Sequence, residues 1–129
     1  MYRWVEHTAE LELEIEAPSE QAVFAEALAA FAELVDDAGG KAMTKEVELK
    51  ADDDAMLLVE WLSELVYLAE VDRFVPARIK TLKLADGGLT ATVEGHRSRP
   101  RQLVKAVTLH RLELHEDKNG WHARVVLDV

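Results

Sequence analysis

The run Leu11-Glu12-Leu13-Glu14-Ile15-Glu16 constrains the fold more than any other stretch of this chain. Apolar and acidic residues alternate over six positions, so an extended backbone puts the leucines and isoleucine on one face and the glutamates on the other. A helix would scatter both sets around its circumference. The run therefore predicts a half-buried strand, which needs a second layer against its apolar face. Just before it stands Glu6-His7-Thr8-Ala9-Glu10, itself preceded by the apolar Tyr2, Trp4 and Val5. Two carboxylates and an imidazole within five residues, held beside a rigid strand, suit a hard cation or proton transfer. The same cluster also suits a polar strand start in which Thr8 or His7 satisfies local backbone groups.

A chain of 129 residues suffices for one domain with a real core. With 49% hydrophobic residues it has the composition of a globular protein rather than a disordered one. No apolar run approaches a membrane span, and the N-terminal residues lack the basic-then-apolar layout of a secretion signal, so a cytoplasmic location is expected. The absence of cysteine excludes disulfides, thiolate zinc sites and a cysteine nucleophile. A net charge of −10 argues against a free-standing nucleic-acid binder and suits a protein that meets a basic partner or a cation. The charge is uneven: most of the acidity precedes residue 73, whereas Arg73, Arg78, Lys80, Lys83, Arg97, Arg99, Arg101, Lys105 and Arg111 follow.

Pro18-Ser19-Glu20 signals a helix start, with Ser19 as N-cap and Glu20 favourably placed on the helix dipole. Helical spacing of Val23, Ala27, Leu28, Phe31, Leu34 and Val35 carries that helix to Val35, and Asp36-Asp37-Ala38-Gly39-Gly40 ends it, the glycines offering positive φ. Residues 43–50 alternate as a second strand. Asp52-Asp53-Asp54 precedes a helix from Ala55 to Ala69 whose apolar positions wrap most of its circumference. The triplet lacks the glycine and later glutamate of an EF-hand loop, and capping by Asp53 or Asp54 explains it more simply. Val75–Leu84 and Leu89–Glu94 are strands joined by Asp86-Gly87-Gly88. A basic loop, residues 95–101, follows, with Pro100 opening a short helix through Gln102 to Ala106. Val107–Leu114, alternating less cleanly, and Trp121–Val129 are strands joined by Asp117-Lys118-Asn119-Gly120. Strands and helices mix without strict βαβ alternation, which predicts an α+β domain: a largely antiparallel or mixed sheet with two main helices packed on it.

No phosphate-binding glycine loop or nucleophile elbow is present, and Ser19, Ser63 and Ser98 have no identifiable activating base. Asp128 stands among Val125, Val126, Leu127 and Val129. It is either a solvent-facing strand end or a carboxylate held by a partner or a metal, with the carboxylate of Val129 as a neighbouring oxygen donor. His96, His110, His115 and His122 do not fall at zinc-site spacing. Arg97, Arg99, Arg101 and Lys105 suit contact with phosphate or a partner's acidic face, or simply a solubilising loop.

Glu6-His7-Thr8-Ala9-Glu10, Trp61-Leu62-Ser63-Glu64-Leu65, Lys105-Ala106-Val107-Thr108-Leu109-His110 and Trp121 to Val129 together resemble stretches of the archease family. Glu6-His7-Thr8-Ala9-Glu10 resembles its (Asp/Glu)-His-Thr-Ala-Asp signature, and Leu57-Leu58 with Trp61-Leu62-Ser63-Glu64-Leu65 resembles its paired leucines and Trp-Leu-Asn-Glu-Leu. Lys105-Ala106-Val107-Thr108-Leu109-His110 is similar to Lys-Ala-Val-Thr-Tyr-His, and Trp121 to Val129 to a closing Trp-x-Ala-x-Val-x-x-Asp-Val. Order and spacing agree from end to end, which implies one archease-like domain over residues 1–129. The resemblance further implies a protein cofactor, not an enzyme, that assists a GTP-dependent 3′-phosphate RNA ligase in tRNA splicing or RNA repair. It would promote guanylylation and turnover of the ligase while meeting RNA only indirectly. It implies a divalent metal (Ca, Mg or Mn) held by Glu10 and Asp128, with Val129 close by and Glu6 and His7 as supporting shell. The chain departs from the pattern at Glu10 for aspartate, Glu12 for glycine, Ser63 for asparagine and Leu109 for tyrosine. Two other functions fit the residues: a small metal-dependent hydrolase using Glu10, Asp128 and His7, and a chaperone-like module that binds a partner through its acidic face.

Overall fold

The structure, a computed structural model, describes residues 1–36 and 39–129. The alternating run lies in strand β2, Glu10–Ala17, with Leu13, Ile15 and Ala17 buried. Tyr2 to His7 is not a lead-in to that strand but a strand of its own, β1, paired antiparallel with β2 from Tyr2↔Ile15 to His7↔Glu10. Thr8-Ala9 is the hairpin loop between them. Nothing in this dipeptide announces a turn, because Ala9 adopts φ 59°, a conformation that costs an alanine about 1 kcal/mol and usually falls to glycine or asparagine.

Helix α1, Glu20–Val35, is capped by Ser19, whose Oγ accepts from the Ala22 amide at 3.1 Å. Strand β3, Ala42–Lys50, leads to helix α2, Asp54–Val71, capped by Asp53 through the Met56 amide at 2.8 Å. The aspartate triplet is thus a helix start. Of the expected α1 stop, Asp37 and Ala38 lie outside the described residues. Gly40 does not take positive φ and is required for a different reason, since a Cβ there would stand 1.9 Å from the Arg97 carbonyl oxygen.

Four strands complete the chain: β4, Phe74–Ala85; β5, Gly88–Arg97; β6, Ala106–Asp117; and β7, Gly120–Asp128. They form two sheets rather than one, ordered β1-β2-β7-β6 and β3-β5-β4, with every pairing antiparallel. Both helices touch strands of both sheets, so one core unites the domain. Its centre includes Phe24, Phe31, Leu57, Trp61, Leu62, Leu65 and Phe74, all at most 2% exposed. The Trp61 indole donates to the Phe24 carbonyl at 2.9 Å, which satisfies its polar edge and ties α2 to α1. No helix of the described residues is long and apolar enough to cross a membrane.

Two expectations change between β5 and β7. Gly95, His96 and Arg97 finish β5 instead of opening a loop, and residues 98–105 form no helix. The amides a helix would use are taken by distant carbonyls: Arg101 N–H by Val35 at 2.9 Å and Lys105 N–H by Asp128 at 2.8 Å. The imperfect alternation of β6 marks a large bulge. Residues 109–112 lie between Thr108↔Val126 and Glu113↔Arg124, opposite a single residue of β7.

The start of α1 also differs from the helix-dipole expectation. Burial, then the hydrogen bond and charge of Asp54 in the first turn of α2, push the Glu20 carboxyl from 4.5 to about 7. A raised folded-state pKa means that the native protein holds this proton more tightly than the unfolded chain, so stability falls as pH rises through that interval. Glu20→Gln is therefore expected to raise Tm by about 3–5 °C, about 1 kcal/mol, near pH 8 and to change it little near pH 4. Thermal unfolding followed by circular dichroism at the two pH values checks this; an equal gain at both would refute the assignment.

Candidate functional site

Registry brings the two ends of the chain together at the β1–β2 hairpin. Glu10 pairs directly with His7 on β1 and with Asp128 on β7, and Asp128 pairs in turn with Ala106 on β6. Side chains directly opposite in antiparallel strands project to the same face. His7, Glu10 and Asp128 therefore form one row on the outer face of the four-stranded sheet, the face away from Leu11, Leu13, Val125 and Leu127. Glu6 pairs with Leu11 and lies one step out of phase, on the other face. Of the expected supporting shell, only His7 shares the face of Glu10. Asp128 and Glu10 are half-buried. Backbone bonds pin the site: Asp128 accepts from Lys105 N–H at 2.8 Å, and Val129 N–H reaches the Ala9 carbonyl at 3.2 Å.

The next row of the same face is Val5, Glu12, Val126 and Thr108. Glu12 is the one buried charged residue among those described, 6% exposed. Its Oε1 lies 3.0 Å from Nη2 of Arg111 and 3.7 Å from Nε2 of His7. No N–H is aligned on that oxygen, so charge rather than a directed hydrogen bond holds it. Arg111 belongs to the β6 bulge and adopts φ 55°. Its side chain crosses β7 to reach β2, over Val126, which is fully buried although it faces outward. Sequence reasoning did not single out Arg111. Its partner is 99 positions away, and the only trace in the sequence is the broken alternation of β6.

Elsewhere the same sheet face carries paired charges. Arg3 pairs with Glu14, Arg124 with Glu113 at 2.6 Å, and His122 with Asp117 at 3.1 Å. These residues border an open cavity of about 450 Å³ that does not include Glu10 or Asp128. The Asn119 amide, then the neighbouring His122, lowers the pKa of the Asp117 carboxyl. The four cations named from the sequence do not stay together. Arg101 donates to the Glu33 carbonyl at 2.9 Å and so closes the end of α1. Lys105 stands beside Asp128, while Arg97 and Arg99 are exposed at the end of β5 and just beyond.

Among the described residues, no three or more Asp, Glu and His side chains gather into a cation-binding group. The donor set at the hairpin is the Glu10–Asp128 pair, with Val129 adjacent. Two carboxylates on strands whose paired Cα atoms are about 4.5–5.5 Å apart can share one hard cation. They leave most of its coordination shell to water or to phosphate oxygens, the usual habit of Mg²⁺. The residues present fit such an ion.

The model of the Archease protein family (MTH1598/TM1083) matches residues 2–129. Protein archease of Methanosarcina barkeri is 34% identical over 139 residues, covering 99% of this chain and 95% of that protein. The solution structure of Methanobacterium thermoautotrophicum protein 1598 superposes with a TM-score of 0.80 at 28% identity, covering 99% of this chain and 98% of the other. The crystal structure of an archease, possible chaperone, from Thermotoga maritima shares the fold with a TM-score of 0.72 at 23% identity, covering 100% and 98%. With its hairpin, β6 and β7 meeting at one tip and its whole length matched, the chain belongs to the archease family.

Proposed function

We propose that this protein is an accessory factor of a GTP-dependent 3′-phosphate RNA ligase, acting in the cytoplasm in tRNA splicing or RNA repair by promoting guanylylation and turnover of the ligase. The observation that carries this reading is the direct pairing of Glu10 with Asp128 at an exposed hairpin tip. A pair of carboxylates at a hairpin tip, with no hydroxyl or thiol in their own row of His7, Glu10, Asp128 and Ala106, suits delivery into another protein's active site better than catalysis in its own. Glu10 and Asp128, with Val129 beside them, would hold a divalent cation, Ca²⁺, Mg²⁺ or Mn²⁺. Such an ion supplies charge neutralisation at nucleotide phosphates. The chain's own contribution is to present both carboxylates in fixed register, braced by Lys105 N–H on Asp128 and by Arg111 on Glu12. The test is a guanylylation assay of the cognate ligase with GTP and a divalent cation. Substoichiometric protein is expected to raise the initial rate at least about tenfold, equivalent to about 1.4 kcal/mol of barrier. An unchanged rate, or multiple-turnover hydrolysis by the isolated protein, would contradict the proposal.

A further inference from the structure

Eight of the fifteen basic side chains are arginines, and most are committed. Arg3, Arg78, Arg111 and Arg124 pair with carboxylates, and Arg101 donates to a helix carbonyl. The remaining three, Arg73, Arg97 and Arg99, make no ion pair with any described residue, and the fold brings them to one end of the three-stranded sheet. Arg97 pairs with Phe74, next to Arg73, and the Ser98 amide donates to the Arg73 carbonyl at 2.9 Å. Lys41 joins them, because the Arg97 amide donates to its carbonyl at 2.8 Å and Gly40 lets the two backbones approach. All four residues are exposed. Asp72, adjacent in sequence to Arg73, is bound by Lys45 at 2.9 Å, and Asp36 stands 4.0 Å from His96, the neighbour of Arg97. Arg73 adopts φ 55° just past the end of α2, the position where helices usually place glycine. A long cation kept there, at a backbone cost of about 1 kcal/mol and without an ion-pair partner among the described residues, calls for a ligand outside them.

We infer that Lys41, Arg73, Arg97 and Arg99 form a binding site for the phosphodiester backbone of single-stranded RNA. The choice of RNA among polyanions rests on the ligase reading above; the anion site itself rests on the arginines. Guanidinium groups match phosphate oxygens two at a time, and phosphate contacts need no apolar anchor. A protein interface does need one, and the four residues themselves supply none, Val71 and Leu103 being the exposed apolar side chains that flank them in sequence among the described residues. None of the four residues carries an aromatic ring for bases to stack on, so the contact they make is with phosphate and independent of base identity. Arg99 and Lys105, the latter at the carboxylate tip, are six positions apart, a reach of at most about 22 Å. The same strand can therefore lie on the patch while its end is near Glu10 and Asp128. Four cations on a protein of charge −10 bind weakly alone, and the site acts by adding to the ligase's own hold on RNA.

The experiment is an amide-shift titration of the full chain by NMR with a 3′-phosphorylated single-stranded RNA oligonucleotide at low salt. Shifts are expected at Lys41, Arg73, Arg97, Ser98 and Arg99, weakening with salt at a log–log slope of about −2 to −3 for four contacts. The double variant Arg97→Gln/Arg99→Gln, at exposed positions whose side chains make no ion pair with the described residues, should fold normally and lose them. An oligoglutamate peptide of equal charge that produces the same shifts overturns the RNA assignment, and so does RNA that shifts none of these amides. With the ligase, the double variant should leave guanylylation unchanged, since that step uses no RNA, and slow sealing about tenfold at subsaturating RNA. Sealing at the wild-type rate overturns the inference. A wild-type protein that fails to stimulate guanylylation contradicts the ligase reading alone, and the RNA titration still decides this site.

Discussion

Asp128→Asn is expected to abolish stimulation of the ligase while leaving the fold intact. The substitution keeps the shape of the side chain and every backbone bond of β7, including the Lys105 amide on the Asp128 carbonyl, but removes the charge that a hard cation requires. Loss of even an outer-shell partner weakens metal binding by about 10–100-fold, and loss of a direct ligand should cost at least that much. Unfolding should change by less than about 1 kcal/mol, because Asp128 is only half-buried and among the described residues its side chain has no ion pair. Glu10→Gln should behave alike, and the two together little worse than either, since both act on one ion. Guanylylation kinetics and calorimetric titration with Mg²⁺, Mn²⁺ and Ca²⁺ measure the two quantities. Wild-type stimulation by Asp128→Asn would remove the carboxylate pair from the mechanism.

The second large effect concerns Arg111. Removing it by Arg111→Ala leaves the Glu12 carboxylate, 8% exposed, with His7 at 3.7 Å as its one remaining cationic neighbour among the described residues. Breaking a fully buried pair costs about 3–5 kcal/mol. Arg111 is 40% exposed, so about 2 kcal/mol is expected here once water screens its end of the contact. Glu12→Gln should cost less, since it leaves no buried charge, and the double variant should be more stable than Arg111→Ala alone. Denaturant unfolding of the four proteins gives the coupling directly. Additive losses would show that Arg111 and Glu12 do not interact. Because the bridge joins the β6 bulge to the strand that carries Glu10, Arg111→Ala should also weaken ligase stimulation, and the Glu12→Gln background should restore part of it.

Much of the fold can be read in the chain because the relevant physics is local. Period-2 alternation marks β2 and β3, Ser19 and Asp53 start the helices, and Asn119-Gly120 turns the last hairpin. The β1–β2 hairpin escapes such reading because Ala9 takes a conformation that its side chain disfavours. The tertiary bond from Val129 to the Ala9 carbonyl holds the turn instead of its own sequence. Residues 98–105 escape it for a similar reason, their amides being claimed by α1 and β7.

The carboxylates were legible as a pair only through the family resemblance, since 118 positions separate Glu10 from Asp128. The sequence by itself determined which residues face a core, where helices begin, and that the domain is α+β, all properties of spacing and of side chains within a few positions. Only the tertiary structure decided that Glu12 is a buried partner of Arg111 rather than a solvated strand acid. The same is true of the expected basic run, which splits into one helix clamp, one lysine at the tip and two arginines joined by Lys41 and Arg73. Charges find partners through space over a few ångströms, and no local periodicity records which strands a chain will lay side by side.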